Sequence, residues 1–414
     1  MKFSEYPLLP EIRESLEDLG FKRPTDIQFK AIPPILSGED VLAIAQTGTG
    51  KTAAFVIPTL QILERKKNKQ KSKSPQCIVL APTHELALQI LEVFKEIGKN
   101  TRLRFIALYG GVDQAPQIAQ LQKGVDVVIA TPGRMFDLIS QGHLVVDEVS
   151  LLILDEADHM LDLGFLKDIQ DLIRKIPAKR QTLFFSATID EKIKKLAYSL
   201  VTRAIRIQIS PKNPVAKRVH HGVAMVAMDD KRFFLERLVR ENPEAKILVF
   251  VRTKVRAERV LTAMERVDIK AVTLHGDKEQ NERTTNLNLF KSGECQLLIA
   301  TDISARGIDI PHVHMVINYD MPDKGETYVH RVGRTGRGTQ KGKAISLCSP
   351  EEKPFLELIE AYIDQNIQKL EVAPSEYAET IALSEETHTD WKSLMKKAAE
   401  EEANFTPKKK KKKK

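Results

Sequence analysis

From residue 40 to about 350 the chain repeats one rhythm: a short β-branched apolar run, a cluster of Gly, Thr, Pro or Asp, then ten or more residues with apolar positions at helical spacing. This alternation predicts an α/β fold. In the first half the runs are VLAIA (41–45), CIVLA (77–81), RFIALY (104–109), DVVIA (126–130), LLILD (151–155), TLFFS and AIRIQI (204–209). The second half has VHHGVAMV (219–226), KILVFV (246–251), AVTLH (271–275), QLLIA (296–300), VHMVIN (313–318) and KAISLC (343–348). Runs that are apolar on both faces and joined by helices belong to parallel strands covered by helices on both sides. Between the halves, SPKNPVAK (210–217) has two prolines and no period, the pattern of a linker. The expected layout is a first domain over 1–209, a linker over 210–217, a second domain over 218–370, and a mostly disordered tail over 371–414 that ends in poly-Lys.

Polar clusters follow the strands directly: QTGTGKT after VLAIA, PTHELA after CIVLA, TPGR after DVVIA, EAD after LLIL, AT after TLFFS, RT after KILVFV and TDISARGID after QLLIA. These are the carboxyl ends of parallel strands, where open α/β sheets bind ligands. Their spread over both halves predicts two sheets that turn their loop edges toward one cleft.

A length of 414 residues suits two or three domains of about 150 residues each. Hydrophobic residues make up 42% and charged residues 29%, and no apolar run approaches the roughly 18 residues of a membrane span. The opening MKFSEYPLLPEIRE has no apolar stretch of leader length, so a soluble cytoplasmic protein is expected. The net charge of +8 suggests a polyanionic partner, but Lys408–Lys414 alone supply +7. Arg65, Lys66, Lys67, Lys69, Lys71 and Lys73 form a second basic cluster, expected to be a loop, and the rest of the chain nets −5. Charge alone therefore places no nucleic acid on the body of the protein. Cys77, Cys295 and Cys348 are far apart, and each sits in an apolar run. They read as core residues of a reducing compartment rather than zinc ligands. In the tail, Trp391, Leu394, Met395 and Ala398 make one short amphipathic stretch.

AQTGTGKT (45–52) follows a strand and opens a helix, the context of a phosphate-binding loop. In Gln46, Thr47, Gly48, Thr49 and Gly50 the glycines let backbone N–H groups turn onto phosphate oxygens. Lys51 supplies a point charge at the β and γ phosphates, and Thr52 can ligate Mg2+. Ala45 stands where the general pattern has its first Gly. Downstream, the strand LLIL ends in Asp155, placed to hold Mg2+, and Glu156, placed to orient and deprotonate an attacking water.

Together with AQTGTGKT, the string DEAD at 155–158, SAT at 186–188, ARGID at 305–309 and HRVGRTGR at 330–337 resemble a DEAD-box RNA helicase over residues 1–370. The compact core and short tail look like the bacterial RhlE-type branch. The resemblance implies two RecA-like domains that close around ATP and RNA. GFKRPTDIQ (20–28) is similar to the family's adenine-reading Q motif. That implies Phe21 stacking on the base, Gln28 bonding its edge and Phe3 packing in support, with ATP preferred over GTP. Among Arg331, Arg334 and Arg337, the last two are implied as arginine fingers, and Asp309 as a ribose ligand. Ser186 and Thr188 are implied to couple Asp155 to Asp158 and His330.

On the RNA side the resemblance points to Pro82, Thr83, His84, Gly110, Gly111, Thr131, Pro132, Gly133 and Arg134 in the first domain. In the second it points to Arg252, Gly276, Gln280, Arg283 and Thr301. Aromatic residues are only 6% and form no stacking platform, so contacts to sugar and phosphate with little sequence preference are expected. The family usually has Arg where this chain has His84. An imidazole of ordinary pKa ~6.5 is mostly neutral above neutral pH, so a weaker RNA contact there, rising at lower pH, is expected. The implied activity is RNA-stimulated ATP hydrolysis coupled to local unwinding of short duplexes and RNA–protein remodelling, with ribosome assembly or RNA decay as roles. A non-catalytic RNA clamp and a DNA helicase are the alternatives. The presence of Lys51, Glu156, Arg334 and Arg337 disfavours the first, and the Q motif and DEAD string disfavour the second.

Overall fold

The computed structural model describes residues 2–46, 48–67, 74–209, 215, 218–305, 310, 312–336, 341–371, 373 and 375–382. In the first half the strands are β1 (Val41–Ala45), β2 (Cys77–Leu80), β3 (Phe105–Leu108), β4 (Val127–Ala130), β5 (Leu151–Leu154), β6 (Gln181–Ser186) and β7 (Ile205–Ile209). In the second half they are β8 (Val219–Met225), β9 (Ile247–Val251), β10 (Ala271–Leu274), β11 (Leu297–Thr301), β12 (Met315–Asn318), β13 (Gly342–Cys348) and β14 (Gln368–Leu370). Every apolar run named above supplies a strand; β14 is one the periodicity did not reveal, because QKL is three residues long with a single apolar position.

The two sheets repeat one topology. Their orders are β3-β4-β2-β5-β6-β1-β7 and β10-β11-β9-β12-β13-β8-β14, so each strand of the second sheet has its counterpart in the first. Pairing is parallel, for example Val41 with Leu183 and Val316 with Leu248. Successive residues point to opposite faces. Val41 and Ala43 of β1 therefore pack with Ile32 and Phe55 on one side, while Leu42 packs with Phe184 and Leu196 on the other. That double burial is why the central strands are apolar throughout. Gly222 in β8 lies where a β-carbon would come 2.9 Å from Leu370 Cγ, which explains a glycine in an otherwise apolar run beside β14.

The second unit does not stop at Leu370, where the polar sequence suggested an end. Residues 375–382 are helical, and Tyr377 packs on Phe234 at 4.9 Å between ring centroids. The Tyr377 hydroxyl donates to Asp230 at 2.7 Å, and Arg237 pairs with Glu376 at 2.6 Å. Of the segment expected to be a linker, only Val215 is described, and it is buried among second-unit core residues. Trp391 and Lys408–Lys414 lie outside the described residues, as do Lys69, Lys71 and Lys73. Two members of that basic cluster are already engaged: Arg65 donates to the Pro7 carbonyl, and Lys67 pairs with Asp126. Cys77, Cys295 and Cys348 are buried free thiols. No helix among the described residues is long and apolar enough to cross a membrane.

Candidate active site

The β1 strand delivers its carboxyl end between β6 and β7, and the chain turns there into the helix Lys51–Lys66. The turn needs glycine. Gly48 and Gly50 have φ of 78° and 91°, and a β-carbon on Gly50 would stand 2.6 Å from Gln28 Nε2. Gln28 is buried, with its oxygen accepting from Thr25 N–H at 2.9 Å and its amide donating to the Gly50 carbonyl at 3.2 Å. One N–H and one lone pair of that amide remain for a base edge. Phe21 lines the same cleft, and Phe3 meets it edge-on at 5.6 Å between centroids, as the Q-motif resemblance implied. The Thr49 hydroxyl donates to the Gln46 carbonyl at 2.7 Å, while Thr47 lies outside the described residues.

Lys51 is 7% exposed, and its buried ammonium has no hydrogen-bond partner among the described residues. A buried lysine without a partner is costly, and phosphate oxygens at this loop would satisfy it. Thr52 and Asp155 line the same cleft of about 730 Å3. A hydroxyl, one carboxylate and phosphate oxygens are the donor set Mg2+ takes, so the residues present fit a magnesium nucleotide.

Asp155 and Glu156 follow β5, and both are buried. Glu156 holds φ at 51°, a left-handed conformation uncommon for a side-chain-bearing residue, at the sharp entry to the helix Ala157–Asp162. Burial pushes the Asp155 carboxyl up to about 7; Lys51 opposes the rise, and Glu156 and Asp158 add to it. Burial also acts upward on Glu156, but His159 and Lys51 outweigh it, with help from Arg334, and hold that carboxyl at about 2. Burial and the neighbouring carboxylates thus push Asp155 up, while the cationic groups around Glu156 hold it down. The Glu156 carboxylate lies 3.8 Å from His159 Nδ1, an ion-pair distance beyond hydrogen-bond reach.

Asp158 takes two bonds from Thr188, from its N–H and its hydroxyl, each at 3.1 Å. His330 and Arg334 of the second unit line a groove with Glu156, Asp158 and Thr188. Ser186 stands beside Ile44 of β1, and its buried hydroxyl has no partner among the described residues. Of the three arginines, Arg334 reaches the nucleotide cleft, whereas Arg331 is turned into its own domain. Arg331 makes a forked pair with Asp302 at 2.6 and 2.7 Å and donates to the Asp320 carbonyl at 2.7 Å. Arg337 and Asp309 lie outside the described residues.

The residues expected at RNA divide into three groups. Several shape the first domain's rim: the Thr83 hydroxyl caps the helix His84–Ile97 by accepting from Leu86 N–H at 3.3 Å. Pro82 is buried, Thr131 immediately precedes the helix Pro132–Ser140, Gly133 is exposed, and Arg134 donates to the Val112 carbonyl at 2.8 Å, beside the Gly110–Gly111 turn. A second group sits on the facing rim. Arg252 is half-exposed and held by the Met321 carbonyl at 3.2 Å and Glu352 at 3.3 Å. Gly276 follows β10 near Lys254, and Thr301 ends β11, buried.

The third group differs from expectation. Gln280 and Arg283 reach across the cleft, not outward: Gln280 Oε1 meets His84 Nδ1 at 2.9 Å, and Arg283 pairs with Glu85 at 2.7 Å. Glu85 belongs to the PTHELA string, but nothing in the sequence marks it as the partner of Arg283, because a carboxylate in a helix's first turn is ordinary N-terminal charge. The Lys231–Glu352 pair was equally hidden. Lys231 is wholly buried, and Glu352 also accepts from Met321 N–H and Ser349 N–H.

A phosphate loop on one parallel sheet, met in its cleft by an arginine from a second domain whose sheet repeats the topology, defines a two-domain RecA-like nucleotide-binding protein. The comparisons narrow that class. A DEAD/DEAH box helicase model matches residues 25–196, and a helicase conserved C-terminal domain model matches residues 230–339. The ATP-dependent RNA helicase CshA of Listeria monocytogenes is 39% identical over 370 residues, covering 89% of this chain and 70% of that protein. The ATP-dependent RNA helicase DbpA of Bacillus subtilis is 39% identical over 375 residues, covering 90% of this chain and 77% of the relative. The structure of S. cerevisiae Dbp5 bound to RNA and ADP BeF3 superposes with a TM-score of 0.82 at 31% identity, covering 92% of this chain and 99% of that one. The chain belongs to the DEAD-box family of ATP-dependent RNA helicases.

Proposed function

We propose that this protein hydrolyses ATP when RNA closes its two domains, and uses closure to open short RNA duplexes and remodel RNA–protein complexes. The observation that carries this is the convergence of Lys51, Glu156 and Arg334, from two domains, on one cleft. Phe21 and Gln28 would receive adenine, and the backbone of 48–52 with Lys51 the phosphates. Thr52 and Asp155 would hold Mg2+, which neutralises charge on the phosphates. Glu156, kept anionic, orients the attacking water and accepts its proton. Arg334 stabilises charge developing at the γ-phosphate, with Arg337 as its partner and Asp309 at the ribose. Because Arg334 comes from the far domain, turnover depends on closure. The Thr188–Asp158 bonds sit in the groove shared with His330, and so link the nucleotide cleft to the domain interface.

RNA would run along the rim formed by Gly110, Gly111, Gly133 and Arg134 and, opposite, Arg252, Gly276 and Thr301. The two domains are taken as 1–209 and 218–370, with the docked helix at 375–382 added to the second. Cytoplasmic location, an RhlE-type branch, and work on ribosomal precursors or with RNA decay machinery complete the reading. The test is displacement of a short RNA duplex: ATP should drive it, with little action on the DNA duplex of the same sequence. Equal displacement of both would move the protein to a DNA helicase reading.

A further inference from the structure

His84 departs from the family's usual residue, and its surroundings fix more than its position. Arg283 sits 2.7 Å from Glu85, and both side chains are largely buried, so Glu85 is a carboxylate that only accepts. Gln280 contacts that carboxylate at 3.4 Å through Nε2, which sets the orientation of its amide. Gln280 Oε1 must therefore face His84 Nδ1, 2.9 Å away, and an amide oxygen only accepts. The proton is thus on Nδ1, and Nε2 is the ring nitrogen left to accept whenever the imidazole carries a single proton. Nε2 has no hydrogen-bond partner among the described residues. It faces the Gly110–Gly111 turn: a β-carbon on Gly110 would come 3.9 Å from it, and one on Gly111 3.7 Å from Cε1. Glycine at 110 leaves this nitrogen uncovered.

We infer that His84, locked by Gln280, accepts a hydrogen bond through Nε2 from a ribose 2′-hydroxyl of the bound strand, and so helps distinguish RNA from DNA at one nucleotide. An arginine at this position has no acceptor atom and could only donate to phosphate; an Nε2 acceptor is lost on protonation, so this contact weakens at lower pH, opposite to the direction expected for a cationic ring at phosphate. The 2′-hydroxyl is the group that separates RNA from DNA at such a contact. The inference rests on the RNA path proposed above, since the Gly110–Gly111 turn must border the strand.

The experiment is a deoxy walk. A fluorescein-labelled oligouridine decamer, with one 2′-deoxy sugar moved along it, is bound to the full chain in the presence of ADP and beryllium fluoride, and affinity is read by anisotropy. Wild type should lose roughly three- to tenfold at one position, the size of a single neutral hydrogen bond. In His84→Arg and in His84→Phe that same step should vanish, and His84→Arg should still bind the all-ribose strand. Superimposable profiles for wild type and both variants would overturn the inference. Failure of wild type to bind the all-ribose decamer would instead remove the RNA reading, and this inference with it.

Discussion

Replacing Arg283 with alanine tests whether the cross-cleft pair with Glu85 holds the domains closed. The Glu85 side chain is 5% exposed and the Arg283 side chain 13%, at a separation of 2.7 Å. Removing one member of a fully buried pair costs about 3–5 kcal/mol, because the survivor stays charged in a poor solvent. Here the cost falls only on the closed state, since opening the cleft lets water reach Glu85. With Arg283 partly wetted, about 2 kcal/mol is reasonable, a shift of roughly 30-fold in the closing equilibrium. The assay is ATP turnover against RNA concentration at several salt concentrations. The half-saturating RNA should rise by roughly that factor. Because Arg283 neutralises Glu85 and not a phosphate, the salt slope should stay unchanged, whereas loss of one phosphate contact would lower it by about 0.7. Glu85→Gln combined with Arg283→Gln should recover most of the loss. A reduced slope in Arg283→Ala, or a shift below threefold, would refute the clasp.

Glu352→Gln weakens the partner of a wholly buried lysine, so the second domain should lose about 3 kcal/mol and melt ~10 °C lower. Lys231→Met with Glu352→Gln, which removes the buried ammonium and keeps an acceptor oxygen toward the Met321 and Ser349 N–H groups, should restore part of that by calorimetry, and a Glu352→Gln variant melting like wild type would contradict the buried pair. The cysteines offer a check on the sheets. Burial pushes the Cys77 and Cys295 thiols up and Cys348 up to about 11, so at pH 8 about one Cys348 thiol in a thousand is ionised. Native protein should resist iodoacetamide at all three, as read by mass spectrometry; labelling at a free-thiol rate would show that strand to be open.

Local pattern carried the fold far. VLAIA and LLIL are apolar on both faces because helices cover both, and the polar clusters behind them do border the cleft. QKL was too short to show a period, and Tyr377 gave no sign that it would dock on Phe234. At the site, glycine spacing and the strand before Asp155 pointed to Lys51, Thr52, Asp155 and Glu156, and these four line one cleft. Spacing alone left direction open, and only the family resemblance singled out Arg334 over Arg331. Arg331 and Arg334 are a helical turn apart in one motif, yet one pairs with Asp302 inside its domain and the other enters the cleft. Gln280, Arg283 and Glu85 acquire their roles only from contacts nearly two hundred residues apart in sequence, which no local period encodes.

The most direct measurement of the central claim is ATP turnover, with and without RNA, in wild type and Glu156→Gln. RNA should stimulate the wild type. Glu156→Gln should lose about 10²- to 10⁴-fold in kcat, the usual worth of a positioned base, while still binding ATP and RNA together. Near-normal turnover in Glu156→Gln, or a wild type indifferent to RNA, would contradict the account.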